Sequence, residues 1–206
     1  EEQGRIDVLW NNAGYAIYGA IEDTLVEDAR KQFEVNLFGL AAITKEVLPY
    51  MRAQKSGLII NTSSMGGKMY TPLGAWYHAS KHALEGWSDC LRLELKPFGI
   101  HVAILEPGVI HTEFADVMLE PMVERSGQGP YAPMALAMQK ASQQSYSKKS
   151  SSPPSVVSKT VQKIIGAKKP KTRYVTGKMA RPMMFVRKYL GDRAFDSMAF
   201  MMLKNA

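Results

Sequence analysis

Tyr77 and Lys81 stand four residues apart in Tyr77-His78-Ala79-Ser80-Lys81, thirteen residues after Ser64. On a helix, residues i and i+4 lie on the same face. An ammonium there favours the ionised form of a neighbouring phenol, whose free pKa is ~10. That brings a tyrosine toward proton transfer near neutral pH, which general acid–base catalysis requires. Chance produces Tyr-x3-Lys often, so the pair has weight only through its surroundings.

The surroundings read as strands alternating with helices. Ile6–Trp10 is a β-type run ended by Asn11-Asn12-Ala13-Gly14. Thr24 and Glu27 have capping-box spacing and open a helix to about Arg52, with Phe33, Leu37, Leu40 and Ala41 at buried positions. Leu58–Thr62 is a second strand, followed by Ser63-Ser64-Met65-Gly66-Gly67. The spacing predicts a helix over Ala75–Leu95, stopped by Pro97 and Gly99, and a third strand over Ile100–Leu105, ended by Glu106-Pro107-Gly108. Beyond it, residues 112–155 read as a short helical piece followed by a loop-like mixture. Residues 155–166 read as a helix, Arg173–Thr176 as a strand, and Met179–Leu203 as an apolar, Met-rich tail.

This alternation predicts an α/β fold, a doubly wound parallel sheet of Rossmann-like type, formed by a single domain over 1–206. In such sheets ligands bind outside the carboxyl ends of the strands. Asn11–Gly14, Ser63-Ser64 and Pro107-Gly108 each follow a predicted strand, so topology delivers three polar or Gly-rich turns to one edge. The next helix brings Tyr77 and Lys81 to the same edge. Each element also has a structural reading: Asn-Asn-Ala-Gly and Pro-Gly as turns, Ser63-Ser64 as a cap, Asn36 as a satisfied core amide. Their joint occurrence at these spacings favours a site.

The composition, 46% hydrophobic over 206 residues, suffices for one core. The single cysteine, Cys90, excludes an internal disulfide and fits a reducing, cytoplasmic setting. The net charge of +7 is uneven. Residues 1–124 hold 10 Lys/Arg against 17 Asp/Glu, whereas residues 125–191 hold 14 Lys/Arg and no acid. The basic stretch reads as a solvated face or as one that meets anionic groups. With no recognition motif beside it, no nucleic-acid partner is expected. No apolar run reaches the length of a membrane span, and no metal is expected.

Asn11-Asn12-Ala13-Gly14, Asn36, Ser64, Tyr77-x3-Lys81 and Pro107-Gly108-Val109-Ile110-His111-Thr112 together resemble the short-chain dehydrogenase/reductase family, in its single-domain branch. The resemblance covers residues 4–112. It implies an NAD(P)-dependent oxidoreductase passing a hydride between nicotinamide and a carbonyl or secondary alcohol. By it, Tyr77 is the general acid or base and Ser64 hydrogen-bonds the reacting oxygen. Lys81 lowers the pKa of Tyr77 and holds the nicotinamide ribose, and Asn36 positions a relay water. Asn12, Ala13, Gly14, Tyr77, Lys81, Pro107, Gly108, Ile110 and Thr112 line the cofactor, either NADP(H) or NAD(H), with NADP(H) slightly favoured. A homo-oligomer is expected. The alternatives are a catalytically silent binding protein on the same fold and, further off, a sugar-nucleotide epimerase.

The family's Gly-rich phosphate turn is not among these residues, and the chain opens at Glu1 and runs almost directly into a strand. An N-terminally truncated fold that binds dinucleotide poorly by itself is therefore the expectation. The lid region, about 112–155, offers Phe114, Val117, Met118, Leu119 and Met122. With Met69, Tyr70 and Trp76 these suggest a lipophilic substrate resembling a steroid, a retinoid or a long-chain carbonyl. The tail, about 179–206, reads either as a helix packed on the domain or as a membrane-surface helix.

Overall fold

Four short apolar runs pair into one sheet in the computed structural model, which describes residues 4–204. They are β1 (Val8–Asn11), β2 (Gly57–Thr62), β3 (Ile100–Pro107) and β4 (Arg173–Thr176), all parallel and in the spatial order β1-β2-β3-β4. Parallel neighbours need crossovers, and here helices supply them. Register pairs Asn11 with Asn61, Thr62 with Leu105 and Pro107 with Thr176, so the turns after the strands emerge along one edge.

Both faces of the sheet are covered. On β2, Ile59 packs with Met51, Leu91 and Leu95 from the helices of one layer, while Leu58 and Ile60 pack with Val161 and Ile164 on the other. Side chains alternate along a strand, so apolar residues at consecutive positions mean burial on two sides. This is the expected doubly wound α/β architecture.

Between β1 and β2 the structure departs from the single predicted helix. There are three segments: α1 (Val26–Phe33), a π-helical turn (Glu34–Gly39) and α2 (Leu40–Gln54). The capping box is absent. Thr24 is buried and its hydroxyl donates backwards to the Ala20 carbonyl at 2.8 Å, so Leu25 precedes the helix with no side-chain cap. The fully inward positions are Gln32, Asn36, Leu40 and Thr44, with Phe33, Leu37 and Ala41 half-buried.

The next helix, α3 (Ala75–Leu95), has the predicted bounds and ends in a 3₁₀ turn through Pro97 to Gly99 at φ +71°. The lid is more ordered than its composition suggested. It contains α4 (Phe114–Ser126) and α5 (Ala132–Tyr146), because the Met-Ala-Leu-Ala-Met run of α5 consists of strong helix formers. After α6 (Ser155–Ile165) and β4, the tail folds as α7 (Ala180–Tyr189) and α8 (Gly191–Lys204). Phe195 of α8 is fully buried against Met69 and Met183, so the tail packs on the domain. Among the described residues, no helix is long and apolar enough to cross a membrane.

Candidate functional site

The carboxyl ends of β1, β2 and β3 open on a cavity of about 970 Å³. A buried polar chain fixes the strand ends behind it. Asn11 Nδ2 donates to Asn61 Oδ1 at 2.9 Å and to Thr44 Oγ1 at 3.1 Å, and Asn61 Nδ2 donates to Ser88 Oγ at 2.9 Å. These bonds join β1, β2, α2 and α3, and they satisfy amides that would otherwise be costly to bury. Asn11 is thus structural, while Asn12 and Gly14 reach the cavity wall. Ala13 is exposed and does not line the cavity.

Ser64, Tyr77 and Lys81 share one wall of the cavity. Ser64 follows β2 in extended backbone, and its Oγ accepts from Gly66 N at 3.0 Å. Tyr77 lies in the first turn of α3, buried among the rings of Tyr18 (centroids 6.0 Å apart), Phe114 (5.8 Å) and His78 (5.6 Å). Lys81 is buried one turn further on and donates to the Thr62 carbonyl at 2.9 Å. Burial pushes the Lys81 pKa down to about 8, and the Glu85 carboxylate opposes that shift.

Burial also raises the pKa of the Tyr77 phenol, against a lowering hydrogen bond with Ser64. The expected lowering by Lys81 is not what this geometry delivers. The ammonium is engaged with Thr62, so desolvation dominates and the phenol holds its proton through the neutral range. Such a tyrosine is poised to donate a proton.

Asn36 sits in the π-helical turn, behind the wall rather than in it. Its Nδ2 donates to the Tyr15 carbonyl at 2.9 Å and to Ser80 Oγ at 3.0 Å, and its Oδ1 accepts from Tyr15 N at 3.1 Å. The amide therefore clamps the turn after β1 to α3. A Cβ on Gly14 would lie 3.1 Å from Asn36 Oδ1 and 3.4 Å from Lys81 Nζ, so glycine lets that turn approach both side chains. Pro107, Gly108, Ile110 and Thr112 line the cavity. Gly108 has a second constraint, since a Cβ there would overlap the Lys178 carbonyl on the segment after β4.

His78 was quoted in the motif and given no role. In the fold it is buried, its Nδ1 lies 2.9 Å from the Gly66 carbonyl, and its Nε2 accepts from Thr71 N at 3.0 Å. These partners require the neutral tautomer with hydrogen on Nδ1, and burial lowers the pKa to about 4. His78 thereby pins the loop after Ser64 onto α3. Ser80, also in the motif, serves as the Asn36 partner. Their polar type inside an otherwise buried helix stretch was the available signal.

The remaining wall is mixed, with Ser142, Gln144, Ser145, Ser150 and Ser158 among a larger set of apolar side chains. Phe114 and Met118 come from α4, Met138 and Tyr146 from α5, and Met198, Met201, Met202 and Leu203 from α8. Leu119 and Met122 go to the adjoining core, Val117 is exposed, and Tyr70 packs on Phe195. Trp76 does not line the cavity. Among the described residues of the wall, Lys81 is the only charged side chain. The groups present suit the ribose and carboxamide end of a dinucleotide better than its phosphates.

Comparison with known proteins agrees with this arrangement. The family model for short chain dehydrogenase matches residues 1–122. An uncharacterised oxidoreductase of Schizosaccharomyces pombe is 37% identical over 193 residues, which span 93% of this chain and 79% of the relative. A 3-ketodihydrosphingosine reductase of Bacteroides thetaiotaomicron is 50% identical over 115 residues, 56% of this chain and 43% of that protein. Among solved structures, the closed form of a serine dehydrogenase complexed with NADP+ superposes with a TM-score of 0.72 at 26% identity, covering 86% of this chain and 66% of the other. With its parallel sheet, its strand-end turns and this match over more than half its length, the chain belongs to the short-chain dehydrogenase family of oxidoreductases.

Proposed function

We propose that this chain carries the catalytic centre of an NAD(P)-dependent oxidoreductase that interconverts a lipophilic ketone or aldehyde and its alcohol. The observation that carries the reading is the meeting of Ser64, Tyr77 and Lys81 in one cavity whose lining also includes Phe114, Leu203 and several methionines. In the reduction, Tyr77 donates its hydroxyl proton to the substrate oxygen while Ser64 donates a hydrogen bond to the same atom. Lys81, as an ammonium, offers a donor to a ribose hydroxyl. Asn36 fixes the turn beside Lys81, and the free lone pair of its Oδ1 is the place for a relay water. Asn12, Gly14, Pro107, Gly108, Ile110 and Thr112 form the cofactor side, and Ala13, which lies outside the cavity, has no part in it. A nicotinamide cofactor, when bound, gives or takes the hydride at the substrate carbon.

The chemistry of relatives supports the substrate class without naming the substrate: one reduces a ketosphingoid and one solved neighbour holds NADP+. NADP(H) is our slightly favoured cofactor. The test is reduction of a panel of long-chain and polycyclic ketones with C4-deuterated NADPH or NADH. Deuterium on the carbinol carbon is expected, and more from NADPH. A panel of lipophilic ketones that stays unlabelled while short polar ketones are reduced would overturn the substrate class. No labelling of any carbonyl under conditions where the dinucleotide is shown to bind would favour the silent binding protein.

The outer side of α7 and α8 supports a second element of the proposal, contact with a membrane surface. Phe185, Tyr189, Leu190 and Phe200 are exposed there, interspersed with Arg181, Lys188, Arg193 and Lys204. Apolar and cationic groups so mixed suit an anionic interface. The protein should float with phosphatidylserine vesicles more than with phosphatidylcholine vesicles, and Phe185→Asp with Phe200→Asp should reduce that. Equal flotation of variant and wild type would end the membrane reading.

A further inference from the structure

Away from the cavity, charged side chains from four segments converge beside α3. Glu85 Oε2 receives Lys68 Nζ at 2.8 Å and Arg173 Nη2 at 3.0 Å. Arg173 Nη2 also reaches Asp89 Oδ2 at 2.6 Å, and its Nε lies 3.4 Å from Glu106 Oε1. Lys68 follows the Ser64 turn, Glu85 and Asp89 lie on α3, Glu106 on β3 and Arg173 on β4. Arg92 Nη2 in turn reaches the half-exposed Asp89 at 3.3 Å, so cations and anions would balance at three each, but neither Glu85 nor Glu106 is paired with Arg92.

Glu106 is fully buried. Both of its oxygens, and Oε1 of Glu85, have no hydrogen-bond donor among the described residues. Three donorless acceptors in one buried cluster are an expensive arrangement. A single added proton reduces the cost. Placed on one Glu106 oxygen, it gives Glu85 Oε1 a donor and removes one of two adjoining buried carboxylate charges.

We propose that Glu106 keeps a proton up to near-neutral pH and hydrogen-bonds Glu85, and that the Glu85–Glu106 pair so formed positions the proposed site. Burial and the adjacent Glu85 charge both raise the Glu106 pKa, to about 7, against Lys68 and Arg173. The pair connects to the site at three points. Glu85 is one helical turn after Lys81, and its charge opposes the desolvation of that ammonium. Lys68 anchors the end of the Ser64 turn, and Glu106 directly precedes Pro107-Gly108. The link to catalysis rests on the role proposed for Lys81, whereas the proton assignment stands without it.

The sign follows from linkage. A carboxyl whose folded pKa is raised contributes stability that is present below its unfolded value of about 4.3 and is lost as pH rises through the folded value. The thermal midpoint of the wild type should therefore fall between about pH 4.5 and 7 relative to that of Glu106→Gln, which keeps a neutral donor. In parallel, ¹³C-detected titration of glutamate carboxyls should show one signal with a midpoint near pH 7, missing in the variant. Glutamates that all titrate below about pH 5 would overturn the proposal, even if Glu106→Gln does not fold. So would an unchanged midpoint slope in a folded variant.

The positioning role has its own readout. Glu85→Gln should lower the Lys81 midpoint, followed by ¹³Cε NMR, by about one pH unit, a tenfold loss of proton affinity. An unmoved Lys81 midpoint would refute the positioning role. None of these readouts depends on turnover, so their failure is distinct from failure of the proposed oxidoreductase reading.

Discussion

Tyr77→Phe is expected to lower kcat/KM for carbonyl reduction by about 10²–10⁴-fold, the range that a positioned general acid contributes. Phenylalanine keeps the ring that packs against Tyr18 and Phe114 and removes only the hydroxyl, which interacts with Ser64. The loss should therefore fall on the chemical step and leave thermal unfolding nearly unchanged. Steady-state kinetics on any ketone that the deuterium assay identifies, together with a melting curve, separate the two effects. A folded variant that turns over near the wild-type rate would remove Tyr77 from the chemistry.

The second large effect is on stability. Phe195→Ala should destabilise the protein by about 3–5 kcal/mol, the usual loss for a fully buried phenylalanine. Phe195 has no exposed surface, stacks edge-on to Tyr70 with centroids 5.1 Å apart and lies beside a hydrogen bond from Tyr70 to Asp196 of 2.9 Å. It is the main anchor of α8, which in turn carries Met198, Met201, Met202 and Leu203 to the cavity. Urea unfolding gives the energy, and faster proteolysis between α7 and α8 locates it. A loss under about 1 kcal/mol would mean that α8 is not docked in solution. Phe195→Leu, which refills much of the volume, should recover most of the loss.

What was legible in the sequence was set by local signals. The end of α3 was legible because Pro97 and Gly99 close it, and its start is read at about Ala75, where the structure has it. The site edge was legible because strand–turn–helix order fixes which turns emerge together, whatever the loops contain. Thr24 misled, since its spacing from Glu27 satisfies a local rule while tertiary packing drew its hydroxyl to Ala20. The helix α5 was hidden by averaging its good helix formers with the Gly, Pro and Ser on either side. Glu85 and Glu106 are 21 residues apart on different elements, so only the folded chain brings them together. The upward shift of Tyr77 was likewise unreadable, because four-residue spacing reports a shared face and not the degree of burial.

The π-helical turn at Glu34–Gly39 is best understood as a correction of rotational phase. Gln32, Asn36, Leu40 and Thr44 are all buried, a repeat of four residues. In an unbroken α-helix, four residues overshoot a full turn by about 40°, so three such steps would carry the stripe a third of the way round. The wider i→i+5 closure takes up that excess. Without it, α2 would present Leu40 and Thr44 to the sheet only by turning Asn36 away from Tyr15 and Ser80. A segment that looks like an irregularity keeps two halves of one crossover in step, and the clamp behind Lys81 depends on it.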